Sequence, residues 1–203
     1  SNLIVIDNVN DLRNHIIDMS IEDASKFVYE WFDIGSHTEK GTVLSETLKK
    51  LNPKIPHQIF LTSHRTDFKI SDQEIEKCRN IIDSRKLRVF VHTPYLLNIA
   101  SDKQYIVDSL QHHLDVGNRC GFKGCVVHVG KSVKLSKHEA YQNMKKNVLS
   151  AIENANASCP LLLETPAGQG TEMLTEWMDF MNFIKEIGDP RFGICVDTCH
   201  IFS

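Results

Sequence analysis

The sequence predicts an α/β fold, a barrel in which short parallel strands alternate with helices. The main observation is that four short apolar runs each end in a residue that binds divalent metals, at His92, His128, Glu164 and Asp197. The intervals between them are 36, 36 and 33 residues, about the length of one strand, one helix and two short loops. Because the carboxyl ends of barrel strands meet at one rim, these side chains are expected to converge where active sites lie.

Composition places the chain among ordinary globular proteins. Of its 203 residues, 41% are hydrophobic and 24% charged, which is typical of one domain with a sizeable core. No apolar run reaches the ~20 residues of a membrane span and the N-terminus lacks a signal-peptide pattern, so we expect an intracellular protein without membrane contact. The six cysteines form no CxxC pair, and we expect free thiols. The net charge of −3 does not indicate nucleic-acid binding, although bound cations can reverse the potential of an acidic cleft.

The first part of the chain does not follow the repeat. Residues 1–31 contain short helical patterns and are expected to form an accessory helical segment, whereas residues 32–203 form the barrel domain. The barrel is predicted to begin with a strand at 32–37, a helix at 43–51 and a second strand at 57–62.

The following units repeat this order, with clear helix starts and stops. Ser71 is expected to cap the helix after the second strand, and Ser136 with Glu139 forms a capping box after the fourth. The fifth helix, which carries Leu174, is expected to stop at Gly188. The third to sixth strands are predicted at 88–92, 124–128, 161–164 and 193–197.

The barrel is expected to be incomplete in this chain. Six strands are predicted, whereas closure takes eight, and a full barrel has ~250 residues. Six strands alone leave two unpaired edges, which natural proteins avoid. We therefore expect that C-terminal strands have been lost, cut off or supplied by another chain.

The donor types favour a catalytic metal cluster. Imidazole and carboxylate groups without a thiolate suit zinc, manganese or iron better than a structural zinc finger. His200 follows Asp197 by three residues and could reach a separate metal beside the first. Two metals ~3.5–4 Å apart stabilise the attacking and leaving oxygens in phosphodiester hydrolysis. Glu164 is a suitable carboxylate to bridge them.

Four segments carry a family resemblance. They are His-Thr-Pro-Tyr-Leu-Leu-Asn-Ile from His92, Val-His-Val-Gly from Val127, Leu-Glu-Thr-Pro-Ala-Gly-Gln-Gly from Leu163 and Cys-Val-Asp-Thr-Cys-His from Cys195. Together they resemble the endonuclease IV family of apurinic/apyrimidinic (AP) endonucleases, in family order from about Ile34 to the end of the chain. The Glu-Thr-x-Ala-Gly-Gln-Gly and Asp-Thr-Cys-His patterns are highly specific.

The resemblance implies a (β/α)8 TIM barrel with three zinc ions that cuts double-stranded DNA 5′ to an abasic site, leaving a 3′-hydroxyl and a 5′-deoxyribose phosphate. By the same resemblance His92, His128 and Glu164 would hold the first metal. Glu164 would bridge to a second metal that Asp197 also binds, and His200 would bind the third. The metals would polarise the phosphate and generate the attacking hydroxide, which the catalytic carboxylate of Glu164 would orient.

Three further residues match the family. Arg65 falls where the family inserts an arginine into DNA, and Tyr95 where it inserts a tyrosine at the abasic site. Planar side chains can fill the gap that a flipped nucleotide leaves; the alternatives are a solvated Arg65 and a packed Tyr95. His37 matches a histidine near the metals and is expected to support the ligands. Five other histidines are expected to be solvated: His57, His64, His112, His113 and His138.

The chain departs from the family beyond its sixth strand, where the resemblance implies two more histidines and two more acids. The third site keeps only His200, so we expect no competent three-metal nuclease unless the rest is supplied. A complete barrel is expected to be a monomer. Two alternatives stay open: an inactive metal- or DNA-binding remnant, and a metal-dependent sugar isomerase or epimerase of similar fold, which needs neither Arg65 nor Tyr95.

Overall fold

The structure is a computed structural model that describes residues 19–20, 23, 35–62, 68–153 and 155–201. The chain divides into two compact units, residues 1–35 and 36–203. Nearly all of the first unit, and with it the accessory segment expected at 1–31, lies outside the described residues. The second unit contains the sheet and the helices that form the fold.

Six strands form one parallel sheet in which neighbours along the chain are neighbours in space. The strands are β1 (Ser36–His37), β2 (His57–Phe60), β3 (Val89–His92), β4 (Gly124–Val127), β5 (Leu161–Glu164) and β6 (Phe192–Cys195). The register pairs Phe60 with His92 and Glu164 with Cys195, so the carboxyl ends of the strands lie along one edge. This arrangement confirms the predicted alternation of parallel strands and helices.

Six helices alternate with the strands in the described part of the second unit. They are α1 (Leu44–Lys50), α2 (Asp72–Arg85), α3 (Tyr105–Cys120), α4 (Lys137–Ile152), α5 (Trp177–Ile187) and α6 (Thr198–Ile201). Ser71 caps α2, and Ser136 with Glu139 forms the predicted capping box of α4. Gly188 ends α5 with a φ of 60°, a conformation that favours glycine. Among the described residues, no helix has the length and apolar character needed to cross a bilayer.

A continuous apolar core fixes the strands. Every residue of β4 is buried, and Val89 and Val91 of β3 are inaccessible to solvent. A Cβ atom on Gly124 would come within 2.7 Å of the Leu162 side chain, so glycine lets β4 and β5 pack closely. Burial on both faces is typical of parallel strands covered by helices, and it holds the strand ends in place.

Several element boundaries differ from the prediction, and three of them bear on the site. Helix α5 begins at Trp177, because Leu174 has a φ of 57° that cannot continue a right-handed helix. Strand β4 ends at Val127, and β6 ends at Cys195. Asp197 therefore lies in the connection to α6 rather than on the strand.

Two histidines that were expected to be solvated are buried. His57 begins β2, and its two ring nitrogens lie 2.9 Å from the Thr38 hydroxyl and 2.9 Å from the Asn52 carbonyl oxygen. His113 lies on α3 with its Nδ1 2.7 Å from the Ser109 carbonyl oxygen, and burial lowers its pKa to about 4. Both side chains therefore contribute to packing rather than to the solvated surface.

Candidate metal centre

Three strand ends bring a first group of ligand atoms together. His92 ends β3, His128 follows β4 and Glu164 ends β5. Glu164 Oε2 lies 2.9 Å from His92 Nε2 and 3.2 Å from His128 Nδ1. The side chains of His92 and Glu164 are only 2% and 3% exposed, so these two are shielded from water, whereas the His128 side chain is 18% exposed. We call these three residues the strand-end group.

The backbone fixes which nitrogen of His92 faces Glu164. His92 Nδ1 lies 2.6 Å from the carbonyl oxygen of Thr93. Because a carbonyl oxygen only accepts hydrogen bonds, Nδ1 carries the proton and donates it. Nε2 and the Glu164 carboxylate, 2.9 Å apart, then require a shared proton or a cation between them. This arrangement suits a metal ligand whose orientation is set by its other ring nitrogen.

The environment of His128 keeps its imidazole neutral. Burial lowers the pKa of His128 to about 4, although the Glu164 carboxylate acts in the opposite direction. The side chain is therefore uncharged at pH 7 and retains a lone pair that can bind a cation. Its ring meets the Tyr95 ring edge to face, with centroids 5.1 Å apart.

A second group shares Glu164 with the first. Glu164 Oε1 lies 3.9 Å from His200 Nδ1, and His200 Nε2 lies 3.8 Å from Asp197 Oδ2. The side chains of Asp197 and His200 are 33% and 23% exposed. We call Glu164, Asp197 and His200 the turn group, because Asp197 lies in the connection after β6 and His200 in the short helix α6.

Backbone amides hold Asp197 as a carboxylate. Its Oδ1 accepts hydrogen bonds from the backbone N–H groups of Cys199, at 2.7 Å, and His200, at 3.4 Å. Burial acts to raise the pKa of Asp197, but these amides, Glu164 and the His200 ring outweigh it and lower the pKa. Asp197 is therefore charged at neutral pH, and its Oδ2 is directed toward His200.

The donor set fits divalent cations. Both groups place one ligand atom from each residue within 4.8 Å of the others. In the part of the chain that the structure describes, the ion-pair partners of Glu164 are histidines, and no lysine or arginine lies within ion-pair distance. A buried carboxylate without a fixed cation is costly unless a proton or metal compensates it. Histidine and carboxylate together match zinc, manganese or iron.

The other predicted site roles are those of His37, Arg65 and, as a ligand of a third metal, His200. His37 touches Phe60, with ring centroids 5.0 Å apart, and Phe60 in turn lies 4.7 Å from the His92 ring. Phe60 thus contacts both rings, and a supporting role for His37 stays a prediction. Arg65 lies outside the described residues. His200 joins Glu164 and Asp197 in one group, and its assignment to a third metal also stays a prediction.

Tyr95 stands at the mouth of the strand-end group. Its side chain is exposed, and its hydroxyl lies 3.0 Å from Lys131 Nζ. Lys131 also approaches Glu172, with 3.7 Å between Nζ and Oε1. The Asn98 side chain holds the Lys131 backbone through two hydrogen bonds of 2.8 Å. Sequence reasoning missed Lys131 and Glu172, because a lysine and a glutamate in loops follow no periodic pattern.

Comparison with known proteins identifies the family of this chain. The family model described as "Xylose isomerase-like TIM barrel" matches residues 57–203, so the chain belongs to the xylose isomerase-like TIM barrel family. A "Probable endonuclease 4" of Mesomycoplasma hyopneumoniae is 33% identical over 117 residues, covering 57% of this chain and 42% of that protein. Another from Symbiobacterium thermophilum is 30% identical over 152 residues, covering 71% and 55%. The chain spans about half the length of these curated relatives.

Solved structures share the fold. Endonuclease IV from Thermus thermophilus superimposes with a TM-score of 0.68 at 22% identity, covering 82% of this chain and 62% of that one. A D-tagatose 3-epimerase-like protein gives a TM-score of 0.61 at 18% identity, covering 83% and 66%. At these identities the similarity to the solved structures shows a shared fold only. The relatives named probable endonuclease 4 are similar to this chain in sequence as well, at 33% and 30% identity.

Proposed function

We propose that this chain carries much of the active site of a zinc-dependent nuclease that hydrolyses the phosphodiester bond 5′ to an abasic site in double-stranded DNA. The observation that carries the proposal is the shared Glu164, whose two oxygens face two separate histidine-containing groups. The similarity in sequence to proteins named probable endonuclease 4 supports the choice of DNA as substrate. The 3′-hydroxyl and 5′-deoxyribose phosphate products belong to the same proposal, as does a barrel domain at residues 32–203.

Each ligand has a distinct task in this proposal. His92 and His128 would hold one cation with Glu164, and Asp197 and His200 would hold further cations beside it. When bound, divalent cations supply Lewis-acid polarisation of a phosphoryl oxygen and ease deprotonation of water. Glu164, shared by both groups, would orient the attacking water toward phosphorus. The buried walls around His92 would exclude competing water molecules from the reacting bond.

The rim would recognise the lesion through stacking and charge. Tyr95 is exposed; its hydroxyl accepts a hydrogen bond from Lys131, and its ring meets the His128 ring edge to face. An abasic site lacks one base, and an aromatic ring can occupy the gap in the stack. The ammonium group of Lys131 is suited to a nearby DNA phosphate. Arg65 is proposed to insert into the DNA as well.

An incision assay tests the proposal directly. An end-labelled duplex with a single abasic site is incubated with the 203-residue chain and zinc, beside an intact duplex and the Glu164→Gln variant. A zinc-dependent nick 5′ to the site that requires Glu164 is the expected result. If no nick appears, the assay is repeated with a C-terminally extended chain. Continued absence of cleavage would overturn the nuclease and favour an inactive remnant.

The likeness to a D-tagatose 3-epimerase-like protein supports one other candidate, a metal-dependent sugar isomerase or epimerase. Histidine, glutamate and aspartate ligands at strand ends serve either chemistry. Isomerisation of a keto sugar needs no exposed aromatic ring for DNA stacking. Conversion of a keto sugar by the metal-loaded chain, without cleavage of abasic DNA, would decide for this alternative.

A further inference from the structure

We propose that Thr165 is a positioning residue that sets the two remaining ligands of the turn group, Asp197 through its hydroxyl and His200 through its carbonyl oxygen. The inference rests on the proposed metal centre but not on nuclease activity. Thr165 directly follows Glu164, so one dipeptide would supply the shared ligand and the support for its two partners.

Thr165 is itself rigidly held. Only 4% of the residue is exposed, and its backbone N–H donates a 3.0 Å hydrogen bond to the carbonyl oxygen of Cys195. This bond extends the β5–β6 ladder by one residue beyond Glu164. Thr165 therefore has the rigidity of the sheet, although it lies beyond the end of the strand.

The hydroxyl of Thr165 holds the backbone of the segment that follows β6. The backbone N–H of Asp197 donates a 3.0 Å hydrogen bond to Thr165 Oγ1. Asp197 follows the last residue of β6 by two positions, where the ladder no longer fixes the backbone. This bond thus ties the aspartate to the residue that follows Glu164, which helps to hold its carboxylate near Glu164.

The carbonyl oxygen of Thr165 selects the tautomer of His200. His200 Nδ1 lies 2.8 Å from that oxygen, and since a carbonyl only accepts, Nδ1 carries a proton. Nε2, which lies 3.8 Å from Asp197 Oδ2, is then the nitrogen with a lone pair for a cation. Such partners of metal-binding histidines fix both ring orientation and tautomer.

Thr93 offers a matched comparison within the same chain. It follows His92 as Thr165 follows Glu164, and its carbonyl oxygen likewise contacts a ring nitrogen. Its hydroxyl, however, is buried without a hydrogen-bond partner among the residues that the structure describes. Removing the Thr93 hydroxyl with Thr93→Val therefore controls for the change of threonine to valine, while the carbonyl contact is retained.

The test is cobalt(II) binding to the 203-residue chain, followed by visible absorption. Asp197→Asn and His92→Ala identify the signals of the two groups. Thr165→Val is expected to weaken the Asp197-dependent site about 10-fold and to leave the His92-dependent site unchanged. Thr165→Ser, which keeps the hydroxyl, is expected to restore the affinity, and Thr93→Val to match the wild type.

Several outcomes would overturn the inference. They are a wild-type chain without an Asp197-dependent cobalt signal, an equal loss at both sites in Thr165→Val, or no rescue by Thr165→Ser. If Thr165→Val does not fold, nitrogen NMR of the wild-type imidazoles decides, since a proton on Nε2 of His200 contradicts the proposed tautomer. A chain that binds cobalt as expected but never cuts abasic DNA would refute the nuclease and leave the role of Thr165 intact.

Discussion

The two ligand groups around Glu164 are built in different ways. The strand-end group takes its residues from three neighbouring strands and buries His92 and Glu164 almost completely. The turn group takes Asp197 and His200 from a connection and a four-residue helix, where both remain partly exposed. Sheet and core fix the first group, whereas individual hydrogen bonds fix the second. The strand-end group should therefore be more rigid than the turn group.

The largest expected effect comes from the residue that the groups share. Glu164→Gln removes a charged ligand from both, so the affinity for zinc is expected to fall more than about 100-fold at each group. Elemental analysis of zinc that remains bound after gel filtration measures the loss. Glu176→Gln changes an exposed carboxylate on the neighbouring loop and is expected to retain all the zinc. Full zinc content in Glu164→Gln would contradict a shared ligand.

Substituting one ligand residue from each group should lower the free energy of unfolding by different amounts. His92→Ala empties a buried position between the rings of Phe60 and His128, at a cost of about 3 kcal/mol in the free energy of unfolding without metal. Asp197→Asn keeps an acceptor for the amides of Cys199 and His200, so its cost should stay under about 1 kcal/mol. Urea unfolding of the metal-free variants measures both. Equal costs would mean that the groups are equally rigid.

The exposed ring of Tyr95 contacts His128 of the strand-end group, so Tyr95 tests whether this side meets the lesion. Tyr95→Ala is expected to weaken binding of a duplex with an abasic site about 10-fold, since stacking contributes ~1–3 kcal/mol per base. Tyr95→Phe keeps the ring and should lose less, as should Lys131→Met. Fluorescence anisotropy with abasic and intact duplexes gives the affinities. An equal loss for both duplexes would assign Tyr95 to general DNA contact.

The smallest effect concerns the Thr93 hydroxyl beside His92. That hydroxyl is buried without a hydrogen-bond partner among the described residues. At the lower end of the cost of such a group, about 1 kcal/mol, Thr93→Val is expected to raise the melting temperature by about 2–4 °C. Differential scanning calorimetry of the metal-free chain measures the shift. A fall in melting temperature would show that the hydroxyl has a partner in solution.

The sequence predicts the strand-end group better than the turn group for a physical reason. In a parallel sheet the strand period alone brings His92, His128 and Glu164 to one edge, and the spacing of 36 residues reveals it. The positions of Asp197 and His200 depend on hydrogen bonds to Thr165, for which a sequence carries no periodic signal. The same holds for Leu174, whose positive φ delays the start of α5.

The sequence predicts the features of the fold that have a local signature. It predicts less well those that depend on single contacts between residues far apart in the chain. The capping box of α4 and the glycine stop of α5 have local signatures, and both are present. The burial of His57 depends on Thr38 and Asn52, two residues outside its own strand. Polar residues of this kind look solvated in sequence, because their partners are visible only in three dimensions.

In the proposed metal centre, the shared carboxylate of Glu164 would make the occupancies of the two cations linked equilibria. Any factor by which a cation beside His92 changes affinity at Asp197 must apply equally in the reverse direction. A cation drawn to one oxygen of Glu164 also withdraws charge from the other, which opposes a second cation, while it fixes the carboxylate orientation that the second cation needs. A metal titration of this centre should therefore be fitted with a model that includes cooperativity between the two sites. A fit with two independent sites would assign to each site a binding constant that belongs to the pair.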